Sequence, residues 1–245
     1  MAYLLIILIG TAVVFAVMKM KKQRKLKKRQ KMLSDELARL KQMNVDYDVK
    51  GYIQEEKKAM AYPENREILS TMRFNLVAAY INNNQCDEAI KTLRAIDLEA
   101  LPLDFQILYH HNMLFALWFE DLSMFREQFA ISWQLLQNHV DETQWKPVLK
   151  LIQVLNDLCL KDCEAAQEHI RQYPSPNSNH AASLTDMLWC ELYLLNGQGG
   201  KVKHRLDQVD ARQNFPLIEA WSKKLRCELK NKGLKSEETK GEVSE

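Results

Sequence analysis

Apolar residues recur at spacings of three and four along almost the whole chain, and the residues that punctuate β-hairpins are scarce. Seven glycines and six prolines are all that 245 residues contain. Apolar groups at i, i+3, i+4 and i+7 place one stripe on a helix, whereas a half-buried strand needs strict alternation. Pro63, Pro102, Pro147, Pro174, Pro176 and Pro216 fall between candidate helices or at their starts. There a missing N–H costs little. The expected class is all-α.

One segment departs from this pattern. Residues 1–18 carry no charge, and nine of the next thirteen, 19–31, are Lys or Arg. Ala2 to Met18 would extend about 25 Å as a helix, close to the thickness of a bilayer core, with Tyr3 as an interfacial aromatic. A secretory leader would carry its positive charge before the apolar run and a small-residue cleavage site after it. Here the charge follows, and no such site does. A helix apolar on every face suits lipid better than the core of a small domain. Residues 1–18 are therefore expected to span a membrane. Lys19, Lys21, Lys22, Arg24, Lys25, Lys27, Lys28, Arg29 and Lys31 would stay on the cytoplasmic side and meet anionic headgroups. The expected topology is N-terminus outside, with all that follows Lys19 cytoplasmic.

Charge divides along the same line. Residues 1–31 have no acidic group, which leaves 25 basic against 32 acidic residues in the remainder, about −7 net. The overall +2 is thus no sign of nucleic-acid binding. The five cysteines, Cys86, Cys159, Cys163, Cys190 and Cys227, form no disulfide framework, and a reducing compartment fits them. Cys159 and Cys163 with His169 lack a second pair at metal-ligand spacing, so buried thiols are expected instead.

Residues 19–43 are expected to form a basic juxtamembrane helix. Leu26, Leu33, Leu37 and Leu40 make a narrow stripe on it, suited to a stalk, to a membrane surface or to self-association through a second copy. Residues 44–62 read as a linker, broken near Gly51, with a short helix over 53–61. The main helical domain is expected over 63–230, and the polar stretch 231–245 reads as disordered.

Within 63–230 the helices come in pairs. Asn75 to Ile96, "NLVAAYINNNQCDEAIKTLRAI", resembles a tetratricopeptide repeat, a helix pair of about 34 residues. Leu76 and Tyr80 stand at its first-helix positions, and Ala89 and Leu93 at those of the second. A small residue at Ala89 lets the two helices approach, and bulky neighbours interlock around it. Trp189, Cys190, Tyr193, Gly197, Val202 and Leu206 match again in a fourth pair. Leu122, Phe125, Phe129 and Ser132 occupy the second-pair places, and Cys163, Ala166, Ile170 and Tyr173 the third. Phe125 departs from the pattern, so the second pair is expected to be splayed or shifted. The spacing also drifts: 36 residues from Ala89 to Phe125, 41 from Phe125 to Ala166, and 36 from Ala166 to Val202. The resemblance implies a right-handed α-solenoid of about four helix pairs, closed by a capping helix from Pro216 to Leu229.

The resemblance also implies where a partner would bind. First helices of such repeats line a concave groove for extended peptides or helices. By alignment that groove is Phe74, Asn75, Ala78 and Asn82, then His110 and His111, then Ile152, Gln153 and Asn156, then Met187 and Glu191. Asn75 is present, but the lysines of a carboxylate clamp are not at matching places. A mixed apolar and amide groove suits an internal peptide or a helix.

No nucleotide-binding glycine loop, His-Glu-x-x-His or Gly-x-Ser-x-Gly occurs. His110 and His111 are adjacent and point about 100° apart on a helix, so they do not readily share an ion. Asp141-Glu142 reads as a helix start, and 173–179 as a connector. The expectation is a non-enzymatic protein without cofactor or metal, a membrane-tethered adaptor for a protein or peptide partner. A structural subunit or assembly factor of a larger membrane complex is the alternative. The order of anchor, basic flank and repeats is similar to membrane-anchored tetratricopeptide proteins of bacteria and to the import receptor of the mitochondrial outer membrane. A Cys-rich metal knuckle, known from one bacterial lipopolysaccharide-assembly family of this kind, has no counterpart here.

Overall fold

The computed structural model describes residues 23, 26, 27, 30–62, 68–176 and 178–233. The expected span 1–18 lies outside them, as do all the headgroup-facing basic residues except Lys27 and Lys31, which are exposed. Among the described residues no helix is long and apolar enough to cross a membrane, and every regular element is helical. The chain divides into two units, Met1–Glu67 and Ile68–Glu245.

In the first unit a helix, α1, runs over residues 30–46 and a second, α2, over Val49–Met60. The break between them is shorter than the sequence suggests. It is made by Tyr47, with φ 57°, and by Asp48, whose side chain accepts from the Gly51 N–H at 2.9 Å. Gln42 donates to the same carboxylate at 2.7 Å. Gly51 is therefore not the breaker. It lies in the first turn of α2, where a Cβ would stand 2.1 Å from Asp48 Oδ2. The two helices are joined by polar groups. Arg39 donates from Nη2 to Glu36 and from Nε to Glu56 (2.8 Å), and the Tyr52 hydroxyl lies 3.3 Å from Glu36 Oε1. Leu26, Leu33 and Leu37 are exposed, while Met32, Glu36 and Met43 are buried. The leucine stripe is thus not the face that α1 buries.

The second unit holds α3 (Leu69–Asn82), α4 (Cys86–Arg94), α5 (Leu103–Glu120), α6 (Leu122–Leu136), α7 (Lys146–Leu160), α8 (Cys163–Arg171), α9 (Asn179–Leu195), α10 (Gly199–Asp210) and α11 (Pro216–Asn231). Local chemistry sets the boundaries. Asp121 accepts from the Ser123 and Met124 amides, Asp162 from Ala165, and Ser178 from Ala181. Each satisfies donors that a helix start leaves unpaired. Pro147 and Pro216 stand in the first turns of α7 and α11. Asn84, Lys161 and Gly197 take positive φ where α3, α7 and α9 stop.

Each of these helices from α3 to α11 packs on the next in the chain. In addition α3, α5, α7 and α9 touch one another in series. Ala89, Ala166 and Val202 are fully buried at corresponding places on α4, α8 and α10. Phe125 takes the same place on α6 and is fully buried too, its ring edge-on to Trp118 at 5.6 Å. The second pair accommodates this bulk in a distinctive way. Leu122, expected to pack like Cys86, is exposed, and Phe129 and Trp133 stack at 5.2 Å in continuation of Phe125. The longer spacing after Phe125 is carried by α6, which has 15 residues against nine in α4 and α8.

Candidate functional site

The implied groove residues divide by burial. Phe74, His110, His111, Ile152 and Met187 are buried in the core of the second unit. The Phe74 ring lies 5.2 Å from Phe105 of α5. His110 Nδ1 is 2.8 Å from the Ser132 hydroxyl of α6, which also accepts from Gln128. This histidine therefore faces the second helix of its own pair. His111 stacks on Phe115, and its Nδ1 is buried without a partner. Burial pushes the His111 imidazole down to about 4, against a backbone hydrogen bond with Val148 of α7. Burial lowers His110 as well. Asn75, Ala78, Asn82, Gln153, Asn156 and Glu191 are half-buried. They are the implied residues that keep access to the surface.

The C-terminal helix occupies part of the face that the first helices share. α11 packs on α9 and also on α3. Its Trp221 ring lies edge-on to Phe119 of α5 at 5.1 Å, and its indole Nε1 donates to Glu191 of α9 at 2.7 Å. Burial raises the Glu191 carboxyl, and the Trp221 hydrogen bond opposes that rise. A simple cap on the last pair would reach α9 and α10 alone. The buried stripe of Leu217, Ile218, Trp221 and Leu225 instead brings α11 back toward α3 and α5.

Several other reactive groups are held in structural contacts, while Cys163, expected to be buried, is half-buried and Cys227 is exposed. His169 Nδ1 is 2.6 Å from Asp157, and Cys159 Sγ accepts from Arg126 Nε at 3.2 Å. Burial pushes the Cys86 and Cys190 thiols up to about 12, which leaves them protonated and poor nucleophiles.

A cavity of about 390 Å³ at the α9–α10 junction was not anticipated from the sequence. Tyr193, Gly200, Lys201, His204, Arg205 and Gln208 line it. Trp189 and Tyr193, one turn apart on α9, stack at 5.5 Å. The Arg205 guanidinium lies over both rings, at 5.4 and 5.7 Å, and Lys201 Nζ lies 5.3 Å from the Tyr193 centroid. The i, i+4 pairs Trp189/Tyr193 and Lys201/Arg205 were the available signal. Sequence reading assigned the two aromatics to the repeat pattern alone.

Comparison with protein-family models, with curated proteins and with solved structures finds no match to this chain.

Proposed function

We propose that the chain is a membrane-tethered scaffold that binds a protein partner through a tetratricopeptide-like array of about four helix pairs. In this reading residues 1–18 are the span, with the N-terminus outside. The basic residues of 19–31 sit against cytoplasmic headgroups, the 19–43 helix offers a route to self-association, and the helical units face the cytoplasm. The serial packing of α3, α5, α7 and α9, with small or β-branched residues buried at matching places on α4, α8 and α10, is the observation that carries it. Such arrays act by presenting a long surface of regular shape.

The position of α11 bears on which surface works. With Trp221 seated on Glu191 and Phe119, part of the face that the first helices share is already covered. Meanwhile Leu122, Met124 and Ile131 of α6 are exposed, Ile131 by 64%. That favours the second reading, a subunit or assembly factor that uses its outer helices, over an adaptor that clasps a peptide inside. Photo-crosslinking of the full-length chain in native membranes tests both. A crosslinker at Asn156 should trap a partner if the groove works, and one at Ile131 if the outer face works. Adducts at neither position would overturn the scaffold reading. The span is tested separately, by labelling a cysteine at Ala2 with an impermeant maleimide in intact cells.

A further inference from the structure

The α9–α10 cavity carries chemistry that a protein-binding scaffold leaves unused. Lys201, His204, Arg205 and Gln208 stand at i, i+3, i+4 and i+7 on α10, so all four side chains emerge on one face of the helix. None of the lining residues is acidic. Asp186 of α9, buried, takes a bond from Arg205 Nη1 and another from Arg212 Nη1 at 2.7 Å. This fixes the Arg205 fork against the Trp189 and Tyr193 rings and engages only part of its five-donor array. Lys201 and Arg205 are the two cations among the lining residues, and Arg212 shares the Asp186 carboxylate that Arg205 meets. The α10 N-terminus beside them has no side-chain cap, and its Gly200 lines the cavity. The positive end of a helix adds to the attraction for an anion.

We propose that this cavity binds a phosphate monoester, either as a soluble metabolite or as a lipid headgroup. A phosphoryl dianion can meet both lining cations, Lys201 and Arg205, whereas a carboxylate carries a single charge. Lys201 engages it as a point charge, Arg205 through its planar fork and Gln208 through its amide, which otherwise lies 3.2 Å from His204 Nε2. A phosphoryl group alone does not fill about 390 Å³, and the remaining space, walled by Tyr193, takes the organic part of the ligand. The proposal does not depend on the scaffold reading.

Calorimetric titration of the full-length chain in neutral detergent with glycerol 3-phosphate is the first arm of the test. Flotation with phosphatidylcholine vesicles, with and without phosphatidic acid, is the second. Lys201→Gln removes a charge from an exposed position without touching Asp186, and should weaken binding at least about tenfold with an unchanged melting curve. Arg205→Lys, which keeps the charge and loses the fork, should weaken it less. Saturable binding of glycerol 3-phosphate identifies a soluble ligand. Binding confined to phosphatidic acid vesicles, and reduced by Lys201→Gln, identifies a headgroup. The basic segment 19–31 is common to wild type and variant, so only the difference between them counts. Equal binding by wild type, Lys201→Gln and Gln208→Ala, or no binding to either probe, overturns the proposal.

Discussion

The Trp221 indole of α11 donates to the Glu191 carboxylate of α9 across 2.7 Å, while the same ring meets Phe119 of α5 edge-on. One side chain thus joins three helices, and its polar atom answers a carboxylate that burial disfavours in its charged form. Trp221→Phe keeps an aromatic ring and removes the donor. The cost should be about 1–3 kcal/mol, the usual range for leaving a shielded polar group without its partner. Because the bond favours the ionised carboxylate, the loss should be larger at neutral pH than in acid. Melting curves of wild type and variant at the two pH values check this. A difference independent of pH would mean that Trp221 acts by packing alone.

In the first unit, burial and then the charge of Glu36 raise Glu56 from 4.5 to about 7, against the opposing pull of Arg39. An acid that is harder to ionise in the folded state favours folding while it is protonated. That stability is fully present below pH 4.5 and is lost as pH rises through about 7. Glu56→Gln keeps the acceptor for Arg39 and cannot ionise. Its melting temperature should gain on wild type between about pH 5 and pH 8. A constant offset across that range would mean that Glu56 is charged throughout.

His111 works in the opposite sense. A base held down to about 4 by burial favours folding while neutral, so its contribution is complete above 6.5 and disappears as pH falls through about 4. The contribution is on the order of 3 kcal/mol at neutral pH. His110 and His180 shift in the same direction, also by burial. His111→Leu should remove part of the acid sensitivity of the second unit, read as a smaller drop in melting temperature between about pH 7 and pH 5. An unchanged drop would place the acid sensitivity on His110 and His180.

What could be read from the sequence was local. The three-and-four spacing of apolar residues, Pro147 and Pro216 as helix starts, and Ala89 and Ala166 as close-approach positions all act within a turn or two of themselves. The all-helical class and the pairing of helices followed from such signals. The placement of α11 did not. Trp221 meets Phe119 and Glu191 only because the array brings distant segments together, and no spacing in the chain records that. His110 and His111 are a second case. The repeat register implies a groove position for both, and the folded chain brings His110 to Ser132 and His111 to Val148, contacts that no spacing records. Glycine often breaks a helix, and the sequence alone suggests that role for Gly51. Its actual role, giving Asp48 room to cap α2, depends on a turn in which a Cβ on Gly51 would come within 2.1 Å of Asp48 Oδ2. The cavity beside Tyr193 forms between an aromatic pair and a cationic pair that lie on different helices, so no single spacing records it.

Ala89 and Phe125 offer the most direct test of the pair-by-pair packing, since they hold the same place on α4 and α6 and are both fully buried. If that place is a point of close approach on α4, it has no room for a ring there. Ala89→Phe should then cost ~1–3 kcal/mol by overpacking. On α6 the surroundings are built for a ring, with Trp118 at 5.6 Å and Phe129 at 6.1 Å. Phe125→Ala should cost ~3–5 kcal/mol, the transfer term plus the cavity it leaves. Urea unfolding measures both as shifts in midpoint at constant m. A neutral Ala89→Phe would show that α3 and α4 are not in close contact at that position. A neutral Phe125→Ala would show that α6 can settle onto α5 as the other second helices settle onto their partners. The aromatic ladder from Phe125 through Phe129 to Trp133 would then not be what holds α6 in place.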